Sequence, residues 1–174
     1  MQITFNLPHV FYPGASKVEN AYALRVLLDT LVNLNLAFLK YHAPPRLYDS
    51  GVKYGRTRIW EPTPALYLPN KHRENFISRF WEPQGEKGGK KRGDCKSLAT
   101  ARIAELLSQG VEARPVFRFA KRPDESGAMD FHILVQVDKK FSPSGWEDPS
   151  RILGMGKDEL AHFGPIVDLL SISA

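Results

Sequence analysis

Cysteine is nearly absent from this chain, which has one, Cys95, among 174 residues. A single thiol excludes an internal disulfide, and a free thiol fits a reducing compartment. The chain also lacks any run of 18 apolar residues, so we expect no membrane span. Its first residues, Met1 to Phe5, carry neither the positive charge nor the long apolar run of a signal peptide. We therefore expect no signal peptide and a cytoplasmic location.

The patterns of nucleic-acid and metal-binding proteins are missing as well. The formal net charge of +5 is modestly basic, but there is no zinc-finger spacing, ribonucleoprotein signature or long basic helix. We therefore do not expect nucleic acid as a partner. Four histidines show no ligand spacing with Cys95, so we expect no metal and no cofactor. These are His9, His42, His72 and His162.

The length and the 43% apolar content predict one ordinary globular domain over residues 1–174. There is no internal repeat and no linker that would divide it. Within this domain we expect a helical and irregular N-terminal extension, a core and a C-terminal segment. Their predicted ranges are 1–80, 81–155 and 156–174.

The N-terminal extension begins with a strong helix signal. Ser16 to Glu19 form a capping box, and apolar residues then recur at helical spacing until Pro44 and Pro45 stop the helix. Residues 46–69 are rich in proline, glycine and aromatics and have weak strand character. A short helix is expected from Asn70 through Trp81, and residues 85–93 form a flexible basic loop that we expect to be solvated.

The second half of the chain predicts one helix followed by strands. A helix is expected over Cys95 to Ser108, with Asp94 as N-cap and Gly110 as stop. Strands are expected over 111–119 and 130–137, with a short third strand holding Trp146 and Asp148 on one side. Segments 157–163 and 166–170 are expected to add a helix or two. Helices followed by an antiparallel sheet predict an α+β fold.

Three residues in this order suggest a thiol enzyme. Cys95 lies at a predicted helix N-terminus, where free backbone amides and the helix dipole stabilise a thiolate. Arg92 and Lys96 add positive charge while Asp94 opposes it, so we expect the pKa of the thiol to be lowered. His132 lies on the polar side of its strand and can act as base. Asp148 can orient the imidazole.

Each residue taken alone also has a purely structural interpretation. A cysteine in the first turn of a helix is usually a small buried residue. A histidine on a strand is more often structural, and Asp-Pro is a common turn opener. The shared order of all three is what favours chemistry.

The motifs around these residues resemble the transglutaminase-like cysteine protein superfamily, over roughly residues 81–150. They are Gly93-Asp94-Cys95-x-x-Leu98-Ala99, Gly110-Val111-Glu112-Ala113-Arg114, the strand with His132, and Trp146-x-Asp148-Pro149. The resemblance implies a papain-like core in which a central helix carrying the nucleophile Cys95 packs on an antiparallel sheet carrying the base His132 and the orienter Asp148. It also implies an upstream oxyanion residue, for which Trp81 and Gln84 are candidates. Many members have a tryptophan soon after the histidine, whereas this chain has Ile133 and Leu134.

A second resemblance is to small proteins of tailed-phage and phage-derived gene clusters. It is carried by Pro45-x-Leu47-Tyr48-x-Ser50-Gly51-Val52-x-Tyr54, Arg92-Gly93-Asp94-Cys95, and Glu147-Asp148-Pro149-Ser150-Arg151-x-Leu153-Gly154-Met155. It implies that virion or particle proteins are the partners and that the chain is incorporated in, or acts on, a phage-like particle.

Two functions of different classes follow. The first is a thiol enzyme that attacks amide bonds of a protein substrate through Cys95, His132 and Asp148. Hydrolysis is favoured over crosslinking, because a small core offers no evident second-substrate domain. The alternative is a non-catalytic structural or assembly component of a virion or tail-like particle.

Overall fold

The computed structural model describes residues 17–55, 92–121 and 129–168. These residues combine helices with a four-stranded antiparallel sheet, which confirms the α+β class. In chain order the elements are α1 (Lys17–Tyr41), a 3-10 turn (Leu47–Asp49), β1 (Lys53–Tyr54), β2 (Arg92–Gly93), α2 (Cys95–Ser108), β3 (Ala113–Lys121), β4 (Met129–Val137), β5 (Trp146–Glu147), α3 (Pro149–Ile152), α4 (Lys157–Ala161) and β6 (Ile166–Val167).

The antiparallel sheet has the strand order β5-β4-β3-β6. Its centre is a continuous nine-residue ladder between β3 and β4, which runs from Ala113 opposite Val137 to Lys121 opposite Met129. Successive side chains of a strand point to opposite faces. The face that holds Ile133 packs against α1 and α2. His132 therefore points to the other face, as the sequence predicted.

Helix α1 packs into the main core. It ends at Tyr41, ahead of Pro44 and Pro45 as predicted, while the capping box at Ser16 lies outside the described residues. Its buried residues Leu24, Leu28 and Val32 belong to one cluster with α2 and the sheet. The part of the chain predicted as an extension therefore supplies one layer of the core that supports Cys95.

Helix α2 has the predicted bounds, Cys95–Ser108. The carboxylate of Asp94 caps it by accepting a hydrogen bond of 3.0 Å from the Ser97 N–H. At the other end Gly110 has φ +73°, a left-handed conformation that favours glycine, and it ends the helix. The Asp94 cap fixes where the helix begins, and therefore where Cys95 lies.

Four boundary predictions need correction. Residues 166–170 were expected to be helical, but Ile166–Val167 form an edge strand against β3. Arg92 and Gly93 were assigned to a flexible loop, but they pair with Lys53 and Tyr54 in a two-residue parallel sheet. Strand β3 begins two residues later than predicted, and β5 ends before Asp148. The predicted helix from Asn70 to Trp81 and residues 85–91 of the basic loop lie outside the described residues.

Within the described residues, no helix is both long and apolar enough to cross a membrane.

Candidate functional site

Cys95 occupies the first position of α2, and three backbone amides act on its thiol. Burial has the largest effect on the pKa of the thiol and raises it, while the N–H groups of Cys95 itself, Lys96 and Ile133 lower it. The first two are amides of the free N-terminus of the helix, as the sequence predicted. The third belongs to β4 and directly follows His132.

The expected lowering of the thiol pKa is wrong. Burial raises the pKa of Cys95 to about 12, and the negative charge of Asp148 adds to the rise. The three amides lower the pKa by less than burial raises it. The reason is that removing a thiolate from water costs more free energy than its interaction with these amides gains. The residue keeps some exposed surface, but the thiol is neutral at pH 7.

His132 and Asp148 form a buried pair. The imidazole Nε2 lies 3.0 Å from Asp148 Oδ2, and the two side chains are 1% and 6% exposed. A carboxylate can only accept a hydrogen bond, so Nε2 carries the proton. In a neutral imidazole the other nitrogen, Nδ1, is then the acceptor. The predicted orienter thus selects the tautomer in which Nδ1 can take a proton.

Asp148 also has the structural role that was its alternative interpretation. Its second oxygen, Oδ1, accepts a hydrogen bond of 3.1 Å from the Arg151 N–H and caps α3, with Pro149 at the first helical position. Asp148 therefore bonds the imidazole through Oδ2 and caps α3 through Oδ1. The structural interpretation of the Asp-Pro pair is therefore confirmed, and the catalytic role of Asp148 stays a prediction.

Cys95 packs against the core cluster that holds Ile133, on the face of the sheet that α1 and α2 cover. The His132 imidazole points to the other face of β4, because successive side chains of a strand alternate. Among the described residues, no hydrogen bond joins Cys95 to His132.

The outer face of His132 is covered by the C-terminal part of the chain. The ring of Phe163 lies 5.6 Å from the imidazole, centroid to centroid. Arg118, directly opposite His132 on β3, donates to the carbonyls of Phe163 and Gly164 at 2.6 and 2.7 Å. This cover keeps water from the imidazole and limits its rotation.

Two residues close to Cys95 in the chain, Lys96 and Gly93, are buried and tightly packed. Lys96 is buried and paired with Asp94, and burial lowers the pKa of Lys96 to about 7. Gly93 has no room for a side chain, because a Cβ there would lie 2.7 Å from Leu98 Cδ2, and Leu98 is fully buried. The glycine of the Gly-Asp-Cys motif is thus required by packing.

The sequence interpretation missed a polar network next to the pair. Arg102 donates to both oxygens of Glu147 at 2.8 and 3.1 Å, and Tyr48 donates to Glu147 at 2.8 Å. Burial alone would raise the pKa of Glu147, but the hydrogen bonds from Arg102 and Tyr48 lower it. Arg102 also pairs with Glu105 at 3.3 Å, whose pKa is raised by burial. The sequence signal for this network was that Tyr48 and Glu147 both belong to the motifs that resemble those of phage proteins.

Other parts of the molecule do not add to the site. The oxyanion candidates Trp81 and Gln84 lie outside the described residues. In the described part of the chain no cluster of side chains could hold a metal ion. A groove of about 710 Å³ is lined by residues such as Gly110, Arg114 and Lys140. It lies at the far end of α2, roughly 20 Å from Cys95 by the helix length, so we do not assign it to this chemistry.

No protein family, no curated protein and no solved structure matches the chain.

Proposed function

We propose that the chain is a thiol enzyme that acts on amide bonds, with Cys95 as nucleophile, His132 as general base and Asp148 as orienter. The observation that carries the proposal is the buried hydrogen bond between His132 and Asp148. Ile133, the residue after His132, has a backbone N–H that lowers the pKa of Cys95 against the larger rise from burial. A tautomer fixed by a carboxylate and a thiol at a helix N-terminus are the parts that such a reaction needs.

The reaction begins with a neutral thiol. Because burial raises the pKa of Cys95 to about 12, a stable thiolate is not present beforehand, and proton transfer accompanies attack. Nδ1 of His132 takes the proton as the sulfur bonds to the carbonyl carbon. The imidazolium then protonates the leaving amine, the C–N bond breaks, and a thioester remains on Cys95.

The second half of the reaction releases the acyl group. Water attacks the thioester, His132 takes its proton, and the sulfur leaves and regains the proton while a carboxylic acid is released. An amine in place of water gives a crosslink. Of these two outcomes we favour hydrolysis. The motifs around Cys95, His132 and Asp148 support a transglutaminase-like enzyme with a papain-like core and a protein substrate, such as a component of a phage-like particle.

The experiment that tests the proposal is a search for the acyl-enzyme. The protein is incubated with a peptide panel and with candidate particle proteins, in the presence and absence of a primary amine probe. Mass spectrometry then detects cleavage, a deamidation shift, a crosslink or a thioester on Cys95. We expect cleavage or deamidation by the wild type and none by Cys95→Ala.

Matched variants make this result specific. Cys95→Ser keeps the size of the side chain and replaces the nucleophile with a weaker one, so it should fold like the wild type and lose turnover. Circular dichroism checks the fold of each variant. Equal product formation by Cys95→Ala and the wild type contradicts the proposal.

The second candidate function is a non-catalytic component of a virion or tail-like particle. The observation that favours it is the raised pKa of Cys95, because an inert buried thiol is what a structural module would have. The two candidates differ in one assay. If Cys95→Ala assembles normally into particles and the wild type forms no product with any substrate, the structural role replaces the enzyme.

A further inference from the structure

The polar network at Glu147 connects the two halves of the proposed site. Arg102 is on α2, the helix that carries Cys95, and Glu147 directly precedes Asp148. Two hydrogen bonds at 2.8 and 3.1 Å join the guanidinium to the carboxylate in a bidentate pair. Such a pair fixes orientation as well as distance, because both partners are planar.

Tyr48 stabilises this pair through two further contacts. The Tyr48 hydroxyl donates to Glu147, and the Arg102 guanidinium carbon lies 4.9 Å from the centre of the Tyr48 ring. The side chains of Arg102 and Glu147 are 17% and 13% exposed. Little solvent therefore competes with these contacts, and the geometry is held more firmly than that of a surface ion pair.

The strand before Asp148 is short, and its other side-chain restraints act at Trp146, whose carbonyl accepts from the Ser142 and Ser144 hydroxyls. β5 pairs with β4 at two positions, Val135 opposite Glu147 and Gln136 opposite Trp146. A two-residue strand is weakly held by its ladder alone. The contacts at Glu147 therefore add to the direct restraints on Asp148, which are its bonds to the His132 ring and to the Arg151 N–H.

We propose that Arg102 is a positioning residue: through Glu147 it holds Asp148, and therefore the His132 imidazole, in a fixed place relative to Cys95. The inference rests on the proposed function, since it assigns Arg102 a part in that reaction. Arg102 contacts neither the thiol nor the imidazole, so it acts only through Glu147 and Asp148.

The test compares Arg102→Met, Arg102→Lys and Tyr48→Phe. Arg102→Lys keeps the charge and loses the bidentate geometry. Tyr48→Phe removes one hydrogen bond and keeps the ring, so it remains informative if Arg102→Met does not fold. Arg114→Met is the matched control, because Arg114 also bonds across the sheet, to Gln136 and Asp168, and within the described residues it forms no hydrogen bond or ion pair with Glu147 or Asp148.

Two readouts are measured on the full chain. The first is the proton NMR signal of the His132 Nε2–H, which reports its hydrogen bond to Asp148 without any turnover. The second is kcat and KM for the amide substrate. In Arg102→Met we expect the NMR signal to shift or to broaden by exchange with water. We expect kcat to fall about 10- to 100-fold with KM little changed, as small misplacement of a reacting group does.

The changes in the NMR signal and in kcat should differ in size among the variants. Arg102→Lys and Tyr48→Phe should show smaller changes of the same kind, and Arg114→Met should show neither. A folded Arg102→Met with the wild-type NMR signal and kcat overturns the inference and leaves Arg102 a merely structural residue. If the wild type has no turnover, the proposed function fails, and the NMR signal alone decides whether Arg102 positions the pair.

Discussion

At the scale of single residues, the Cys95 thiol shows a competition between a helix N-terminus and burial. The amides of Cys95, Lys96 and Ile133 lower the pKa of the thiol, and burial raises it more, to about 12. A helix N-terminus activates a thiol only where water or a cation also reaches the sulfur. Helix position can be recognised from sequence, whereas burial depends on which residues pack over the sulfur.

The raised pKa predicts slow alkylation of Cys95 by iodoacetamide. At pH 7 the rate should be about 10³-fold below that of an ordinary free thiol of pKa about 8.5, because only the thiolate reacts. The rate is followed by mass spectrometry from pH 6 to 10. The same chain in urea is the control and should label at the ordinary rate. A labelling midpoint below pH 8.5 in the folded protein would contradict the burial of the thiol.

The two roles of Asp148 can be separated by substitution. In Asp148→Asn the amide oxygen can still accept from the Arg151 N–H and cap α3, but the NH₂ group then faces the imidazole. Nε2 must accept, Nδ1 becomes protonated, and it can no longer take the thiol proton. We expect amide turnover to fall about 10³- to 10⁴-fold with a nearly unchanged melting temperature.

Asp148→Ser is the comparison for the cap. A serine still caps a helix, but its hydroxyl is too short to hold the imidazole. It should also lose turnover, and the free energy of unfolding should fall by about 1–3 kcal/mol, because the buried Nε2–H of His132 loses its acceptor. Wild-type turnover in Asp148→Asn would make Asp148 an Asp-Pro turn residue only.

At the scale of elements, local signals predicted helices better than strands. The bounds of α2 follow from Asp94 and Gly110, which are neighbours of the helix in sequence. Ile166 and Val167 were assigned to a helix on their local pattern, but pairing with Phe117 and Arg118 makes them a strand. Such pairing with a distant strand overrides a weak local preference.

The first turn of α2 also makes stability depend on pH through Lys96. Burial lowers the pKa of Lys96 from 10.5 to about 7. Between these values the unfolded chain binds more protons than the folded chain, so stability rises with pH. Cys95 has the opposite effect, but only above pH 9, which is its ordinary pKa. There the unfolded chain loses the thiol proton while the folded chain keeps it, so this group makes stability fall as the pH rises.

Lys96→Met tests this dependence. In the wild type the free energy of unfolding should rise by about 1–2 kcal/mol between pH 7 and 9 from Lys96 alone. Urea titrations at several pH values measure it. Lys96→Met keeps the apolar stem and should lose this rise, while Lys40→Met, at an exposed lysine of α1, should keep it. Equal slopes in Lys96→Met and the wild type would show that Lys96 is not desolvated.

At the scale of the whole molecule, α1 belongs to the core that supports the site. Leu28 is fully buried and lies in the cluster that includes Ile133. We expect Leu28→Ala to lower the free energy of unfolding by about 2–5 kcal/mol through lost burial and a cavity. Tyr22→Ala, on the same helix but 73% exposed, should change it by less than about 0.5 kcal/mol. Denaturant unfolding measures both, and equal small effects would show that α1 is not part of the cooperative core.

The long-range contacts of the site could not be predicted from the sequence. The order of Cys95, His132 and Asp148 was visible, and so was the side of the strand on which His132 lies. Tyr48 and Glu147 are 99 positions apart, and no spacing rule connects residues at such a distance. The end of β5 ahead of Asp148 is likewise decided by its pairing with β4.

The continuous ladder between β3 and β4 constrains the length of the chain as well as its residues. One residue inserted in β4 after His132 would make the first half of the strand slip by one position and turn His132 toward α1 and α2. Two inserted residues would restore the face but move the imidazole by roughly 7 Å along the strand, out of reach of Asp148. Insertions in the exposed turn at 138–144 leave the ladder in place. Variation in length should therefore be tolerated in that turn and excluded from β4.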